Sequence, residues 1–179
     1  MTTQIALWRA VNVGGTAKVS MGELRQLLLE LGMGNPRTLL QTGNVVFGSS
    51  ETDGAALEGL LEAETTARWG LSTQVIVRPA KELSSVIAKN PFPESVRQDP
   101  SHVVVVFLKS PPGTDGVRAL AAAPGPERVA AGDRHIYATY PDGIGRSKLT
   151  MTLIERRLGS RGTARNWNTV LKLAALAQS

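Results

Sequence analysis

Two short stretches near the end of this chain carry residue types suited to holding a charged ligand. The first is Asp142-Gly-Ile-Gly-Arg-Ser-Lys148 and the second is Thr163-Ala-Arg-Asn-Trp-Asn-Thr169. Gly143 and Gly145 free the backbone to bend and to expose N–H groups. A helix expected to begin near Ser147 adds unpaired amide donors and a partial positive charge. Arg146 offers a planar fork for phosphate or carboxylate, and Lys148 a mobile point charge. A loop, a helix start and two cations are the ingredients of an anion site. The spacing is not that of a Walker A loop. The plainer reading is a turn capped by Ser147 with two solvated cations.

The second stretch offers Trp167 as a stacking platform beside Arg165, able to hold a base or another flat ligand. Asn166 or Asn168 can cap a final helix. The plainer reading has Trp167 anchoring that helix on the core. The charge distribution adds weight to both stretches. Seven of the chain's 20 basic residues lie from Asp142 onward, against two of its 15 acids, so the whole formal +5 sits there and the rest is balanced. Localised charge attracts anions, whereas dispersed charge mainly confers solubility.

Secondary candidates lie in the first half. The loop Asn12-Val-Gly-Gly-Thr-Ala-Lys18 joins an expected strand to an expected helix, a position that often binds ligands in α/β proteins. Asn12, Gly14, Gly15 and Lys18 belong to it, with Arg9 just before. The helix that follows carries a Ser20/Glu23 capping box, and a glutamate there repels anions. Asn44 follows Thr42-Gly43 in what reads as turn chemistry, with a ligand-facing amide as the alternative. His102 and His135 stand at expected strand starts. Two histidines and no cysteine make a metal site unexpected, and no cofactor motif is evident.

The elements that must position these residues follow from periodicity. Ile5–Val13 reads as a strand. Met21, Leu24, Leu27, Leu28 and Leu31 recur at helical spacing. Thr38–Gln41 and Val45–Phe47 form a hairpin around Gly43-Asn44. Asp53 caps a second helix, with Leu57, Leu60, Leu61 and Ala67 inward, and Ser72–Arg78 is a strand ended by Pro79. That order is the ferredoxin-like βαββαβ unit. Later, Lys81–Lys89 is a short helix, and Val103–Leu108, apolar on both faces, a central strand. Asp115–Ala122 is a helix, Glu127–Ala131 and His135–Tyr140 a hairpin, and Lys148–Leu158 and Asn168–Ala177 two helices. The same supersecondary order twice predicts an α+β fold of two tandem ferredoxin-like subdomains, residues 1–79 and 80–179, with an extra C-terminal helix and a proline-rich linker near 79–100.

Composition bounds the rest. At 179 residues, 42% hydrophobic and 20% charged, the chain can bury a real core. Aromatics are only 4%, so that core must be aliphatic. The lack of cysteine excludes disulfides and thiol chemistry and suits a reducing compartment. Without a signal peptide or a long apolar run, the expectation is a soluble, cytoplasmic protein that does not enter membranes.

Three stretches resemble a known family. Leu7-Trp-Arg-Ala-Val-Asn-Val-Gly-Gly15 is similar to the opening of a mainly bacterial family of unknown function, DUF1697. Gln41-Thr-Gly-Asn-Val-Val-Phe47, within Arg37–Phe47, is similar to its hairpin. Ser147-Lys-Leu together with Arg165-Asn-Trp-Asn-Thr-Val170 resembles its C-terminal signature. Ala10 departs from the pattern, which has glycine there. The resemblance implies two ferredoxin-like α+β subdomains. It implies no activity and no catalytic residue.

The favoured expectation is a module that binds a small anionic ligand bearing phosphate or carboxylate, through Gly143, Gly145, Arg146, Ser147, Lys148, Arg165, Asn166 and Trp167. One alternative is a single-stranded RNA or DNA binder, which would need aromatics on the central strands. Another is an enzyme acting on a phosphorylated substrate, with His135 or Asp133 moving a proton.

Overall fold

In the computed structural model, which describes residues 1–12 and 18–179, the capping box begins the first helix. The Ser20 backbone N–H donates to Glu23 Oε2 at 2.9 Å, and the Glu23 N–H donates to Ser20 Oγ at 3.1 Å. Two orphan donors are thus satisfied before the apolar stripe of Met21, Leu24, Leu27 and Leu28 turns inward.

The chain divides into two compact units, Met1–Ser85 with Lys172–Ser179, and Val86–Leu171. The first contains strand β1 (Thr2–Trp8), helix α1 (Met21–Glu30), strands β2 (Gly34–Leu39) and β3 (Asn44–Ser49), helix α2 (Gly54–Trp69) and strand β4 (Val75–Pro79). Its four strands form one antiparallel sheet in the order β2-β3-β1-β4. Ala6 and Trp8 of β1 meet Val45 and Phe47 of β3, Val75 and Val77 of β4, and the inner faces of α1 and α2 in one core. β1 ends at Trp8, earlier than the run to Val13 predicts. Ala10 and Asn12 adopt positive φ of 54° and 57°, which no strand accommodates.

The inward stripe of α2 also differs from expectation. Leu57, Leu61 and Thr65 are buried, whereas Leu60 is 40% exposed and Ala67 is exposed. Thr65 takes the place of an aliphatic residue because its hydroxyl has partners on both sides. It donates to the Leu61 carbonyl at 2.6 Å and accepts from the Trp8 indole at 3.0 Å. Spacing alone cannot reveal a buried hydroxyl that a distant indole satisfies.

Helices α3 (Ala80–Ala88) and α4 (Pro93–Gln98) occupy the proline-rich stretch, and a 3-10 turn at Pro100–His102 leads into the second sheet. There the order is strand β5 (Val103–Leu108), helix α5 (Thr114–Ala121), strands β6 (Arg128–Ala131) and β7 (His135–Thr139), helix α6 (Met151–Leu158) and strand β8 (Gly162–Asn166). Helix α7 (Trp167–Gln178) closes the chain. The second sheet is antiparallel in the order β6-β7-β5-β8, the first sheet's order element for element. As expected of a strand with two apolar faces, β5 is buried throughout and flanked on both sides. Val104, Val106, Leu108, Ile136 and Ala138 join Leu120, Leu149, Ile154 and Leu158 in the second core.

Two expectations fail in this half. Helix α6 starts at Met151, not Lys148, because Thr150 is its N-cap and accepts from the Leu153 amide at 3.2 Å. Strand β8 is missing from the sequence reading. Gly-Thr-Ala-Arg-Asn carries no β-branched or aromatic run, and tertiary pairing with β5 makes it a strand. The fold is therefore α+β, built on two four-stranded antiparallel sheets with helices. Among the described residues, no helix is long and apolar enough to cross a membrane.

Candidate functional site

The loop between β7 and α6 is held at both ends by one tyrosine. Tyr140 follows β7, its amide donates to the His102 carbonyl at 2.8 Å, and its phenol donates to the Leu149 carbonyl at 3.0 Å. Inside that clamp, the Gly143 amide donates to Tyr140 O at 2.9 Å, closing a tight turn with φ of 87° at Gly143. Only glycine adopts that conformation without strain. A second turn is closed by the Ser147 amide on Ile144 O at 3.2 Å.

Ser147 is not a helix cap. Its hydroxyl donates to Glu127 Oε1 at 2.6 Å and accepts from the Leu149 amide at 3.0 Å. The expectation of a helix dipole aimed at this loop is thereby corrected, since α6 begins four residues later and its first turn belongs to Thr150. What the loop does present is charge and free amides. Arg146 and Lys148 are exposed, and neither makes an ion pair among the described residues. The amides of Gly145, Arg146 and Lys148 likewise have no protein acceptor among them.

These residues border an open groove of about 740 Å³, within the usual size of ligand sites. Gly143, Arg146, Ser147 and Lys148 line it from one side, with Asp142, and the Pro124–Glu127 turn faces them. Two carboxylates, those of Asp142 and Glu127, therefore share the lining with the two cations. His102 borders the same turn: a Cβ built on Gly143 would lie 4.0 Å from its Nε2. The other ring nitrogen, Nδ1, is 3.4 Å from Asp99. The sequence marked His102 only as a lone histidine at a strand start. The three-residue spacing from Asp99, bridged by Pro100, was the signal available.

Arg165, Asn166 and Trp167 do not line this groove. In β8 the side chains alternate, so Ala164 packs on the second core while Thr163 and Arg165 point to the opposite face of the sheet. Arg165 is 9% exposed and donates through Nη1 to Thr163 Oγ1 at 2.7 Å and to Ala164 O at 2.9 Å. Burial pushes its guanidinium down to about 10, because a low-dielectric surround penalises the charged form. Asn166 caps α7, its Oδ1 accepting the Thr169 amide at 3.0 Å, and Trp167 is buried. Capping, part of the plainer reading of this stretch, is what Asn166 does.

The secondary candidates divide similarly. Asn12 Nδ2 donates to Val19 O at 2.6 Å and Gln41 O at 2.8 Å, and its Oδ1 accepts the Val19 amide at 2.9 Å. It ties the start of α1 to the β2–β3 hairpin. Asn44 is fully buried, and its amide donates to Leu39 O and Thr42 Oγ1, which is turn chemistry. Arg9 reaches Gln74 Oε1 at 3.5 Å, and Lys18 is exposed. Gly14 and Gly15 lie outside the described residues. His135 is 6% exposed, and Tyr137 meets it edge-on at 4.9 Å. Among the described residues, no group of three or more His, Cys, Asp or Glu is placed to hold a metal ion.

Comparison with solved structures finds the conserved bacterial protein SP0830 from Streptococcus pneumoniae, with a TM-score of 0.79 and 22% identity. The match covers 100% of this chain and 99% of that one. At this identity the likeness shows the fold alone. No match is found among curated proteins. The family described as "Protein of unknown function (DUF1697)" matches residues 1–137, taking in all of the first sheet and, in the second, β5, β6 and the start of β7. The chain therefore belongs to the DUF1697 family.

Proposed function

We propose that this protein is a module of two ferredoxin-like units whose second unit binds a small anionic ligand at the Asp142–Lys148 groove. The order β2-β3-β1-β4 within a βαββαβ succession, repeated as β6-β7-β5-β8, supports the ferredoxin-like reading. The single observation that carries the binding reading is that two exposed cations, Arg146 and Lys148, line one groove and have no ion-pair partner among the described residues. Both side chains can donate charge-assisted hydrogen bonds to a phosphate or a carboxylate.

Asp142 and Glu127 refine the ligand. Their carboxylates repel a bare polyanion but accept from hydroxyl or amino groups. A sugar phosphate or another small hydroxyl-bearing anion matches the lining better than an inorganic polyphosphate. Arg165, Asn166 and Trp167 do not line the groove and are left out of the proposed site. The nucleic-acid reading draws less support, since Trp8 and Phe47 lie in the first core and Tyr140 in the second.

Calorimetric titration with sugar phosphates tests the proposal. Arg146→Ala should weaken binding about tenfold or more, the order expected for a charged hydrogen bond of roughly 1.5–3 kcal/mol. Equal affinity in the wild type and in the Arg146→Ala/Lys148→Ala double variant would overturn it.

A further inference from the structure

The polar groove adjoins a second cavity of different chemistry. This pocket, of about 220 Å³, shares Pro124, Glu127 and Lys148 with the groove, and its remaining lining includes Leu120, Leu149 and Leu153. Leu120 comes from α5, Leu153 from α6, and Leu149 from the end of the clamped loop. Both Leu120 and Leu149 are buried, so the walls belong to the folded core and not to loose surface side chains.

From this adjacency, through three shared lining residues, we infer that the ligand is amphiphilic, a phosphate or carboxylate head in the groove joined to a short hydrocarbon arm that enters the leucine-lined pocket. The inference rests on the anion-binding reading and adds the chemical class of the rest of the ligand. Lys148 lines both cavities, so its long aliphatic stem can cover the arm while its ammonium meets the head. A volume of 220 Å³ holds about seven groups of water or methylene size, at roughly 30 Å³ each. The arm is therefore short, and a long acyl chain would protrude into water.

The backbone geometry supports a preformed pocket. α5 and α6 meet closely at Gly116, where an added Cβ would lie 2.2 Å from the Arg157 carbonyl oxygen. That approach fixes the separation of the helices that carry Leu120 and Leu153.

The test is a homologous series of methyl, butyl, hexyl and decyl phosphates, with inorganic phosphate as reference, titrated by calorimetry and by amide NMR shifts. Each buried methylene should tighten binding by up to about fourfold, so butyl phosphate, with three more, should bind between about tenfold and sixtyfold more tightly than methyl phosphate. The gain should level off between hexyl and decyl. Ala123→Trp, a change at an exposed residue on the pocket lining, should abolish the chain-length gain and spare inorganic phosphate. A flat series with measurable phosphate binding overturns the inference and leaves the anion reading standing. No binding by any member, inorganic phosphate included, overturns both. A gain that keeps growing through decyl, or that survives Ala123→Trp, marks nonspecific adsorption and overturns the inference.

Discussion

The hydroxyl of Ser147 donates to Glu127 at 2.6 Å, and it is this bond that occupies a carboxylate lying on the same groove as Lys148. With the serine as its partner, Glu127 forms no ion pair with either groove cation, so both are available to an incoming anion. Ser147→Ala removes the bond and frees the carboxylate to approach Lys148. Sugar-phosphate affinity should fall about threefold to tenfold, with a stability loss of about 1 kcal/mol for the lost hydrogen bonds. Adding Glu127→Gln to Ser147→Ala should restore affinity, since a neutral amide does not compete for the lysine. Calorimetry on the two variants reads both effects. Unchanged affinity in Ser147→Ala would show that Glu127 does not matter to the groove.

Gly116 offers a test of the packing that shapes the pocket. In an exposed helix interior, glycine to alanine stabilises by roughly 1 kcal/mol. Here the added methyl would meet the Arg157 carbonyl at 2.2 Å, a backbone atom that cannot swing away. Gly116→Ala should therefore destabilise by about 1–3 kcal/mol, the range for overpacking, as measured by urea unfolding. A stabilised variant would contradict the α5–α6 geometry.

Tyr137 and Tyr140 are the only tyrosines, and both phenols are raised to about 12. Burial is the larger cause in each, with negative charge from Asp133 near Tyr137 and from Glu127 near Tyr140 as the smaller. An unfolded tyrosine loses its proton near 10, so above that pH the unfolded state binds fewer protons than the folded one. Stability should be unaffected by these groups below about pH 10 and fall between about 10 and 12, by up to about 1.4 kcal/mol per pH unit for each phenol. Phenolate absorbance of the folded protein should rise near 12, and each Tyr→Phe variant should remove one equivalent and part of the slope. A full rise at pH 10 with the circular dichroism intact would contradict this burial.

Asn166 is assigned to structure, and the assignment has a measurable consequence. Asn166→Ala removes the side-chain acceptor for the Thr169 amide and should cost about 1 kcal/mol. Sugar-phosphate affinity should not change. A loss of affinity at full stability would return this stretch to the site.

Much of the fold was legible because local signals agreed with tertiary need. The Ser20/Glu23 box, the glycine turn at Gly43-Asn44 and the apolar run of β5 each carry their meaning within a few residues. Strand β8 was not legible, because its partner β5 lies more than fifty residues away and its own composition resembles a loop. Arg165 likewise sits within this strand, on the face away from Ala164 and the second core, and not at a helix start. The Gly143–Lys148 loop was legible as a cluster of cations and glycines. Its true geometry was not, because Ser147 bonds to Glu127, twenty residues earlier, instead of capping a helix.

The most direct measurement is a phosphate titration of the isotopically labelled protein followed by amide NMR. Saturable shifts should concentrate at Gly143, Gly145, Arg146 and Lys148, and should vanish in Arg146→Ala/Lys148→Ala. Shifts confined to other regions, such as Arg9 to Lys18, or the absence of saturable shifts at this loop, would contradict the assignment of the groove as an anion site.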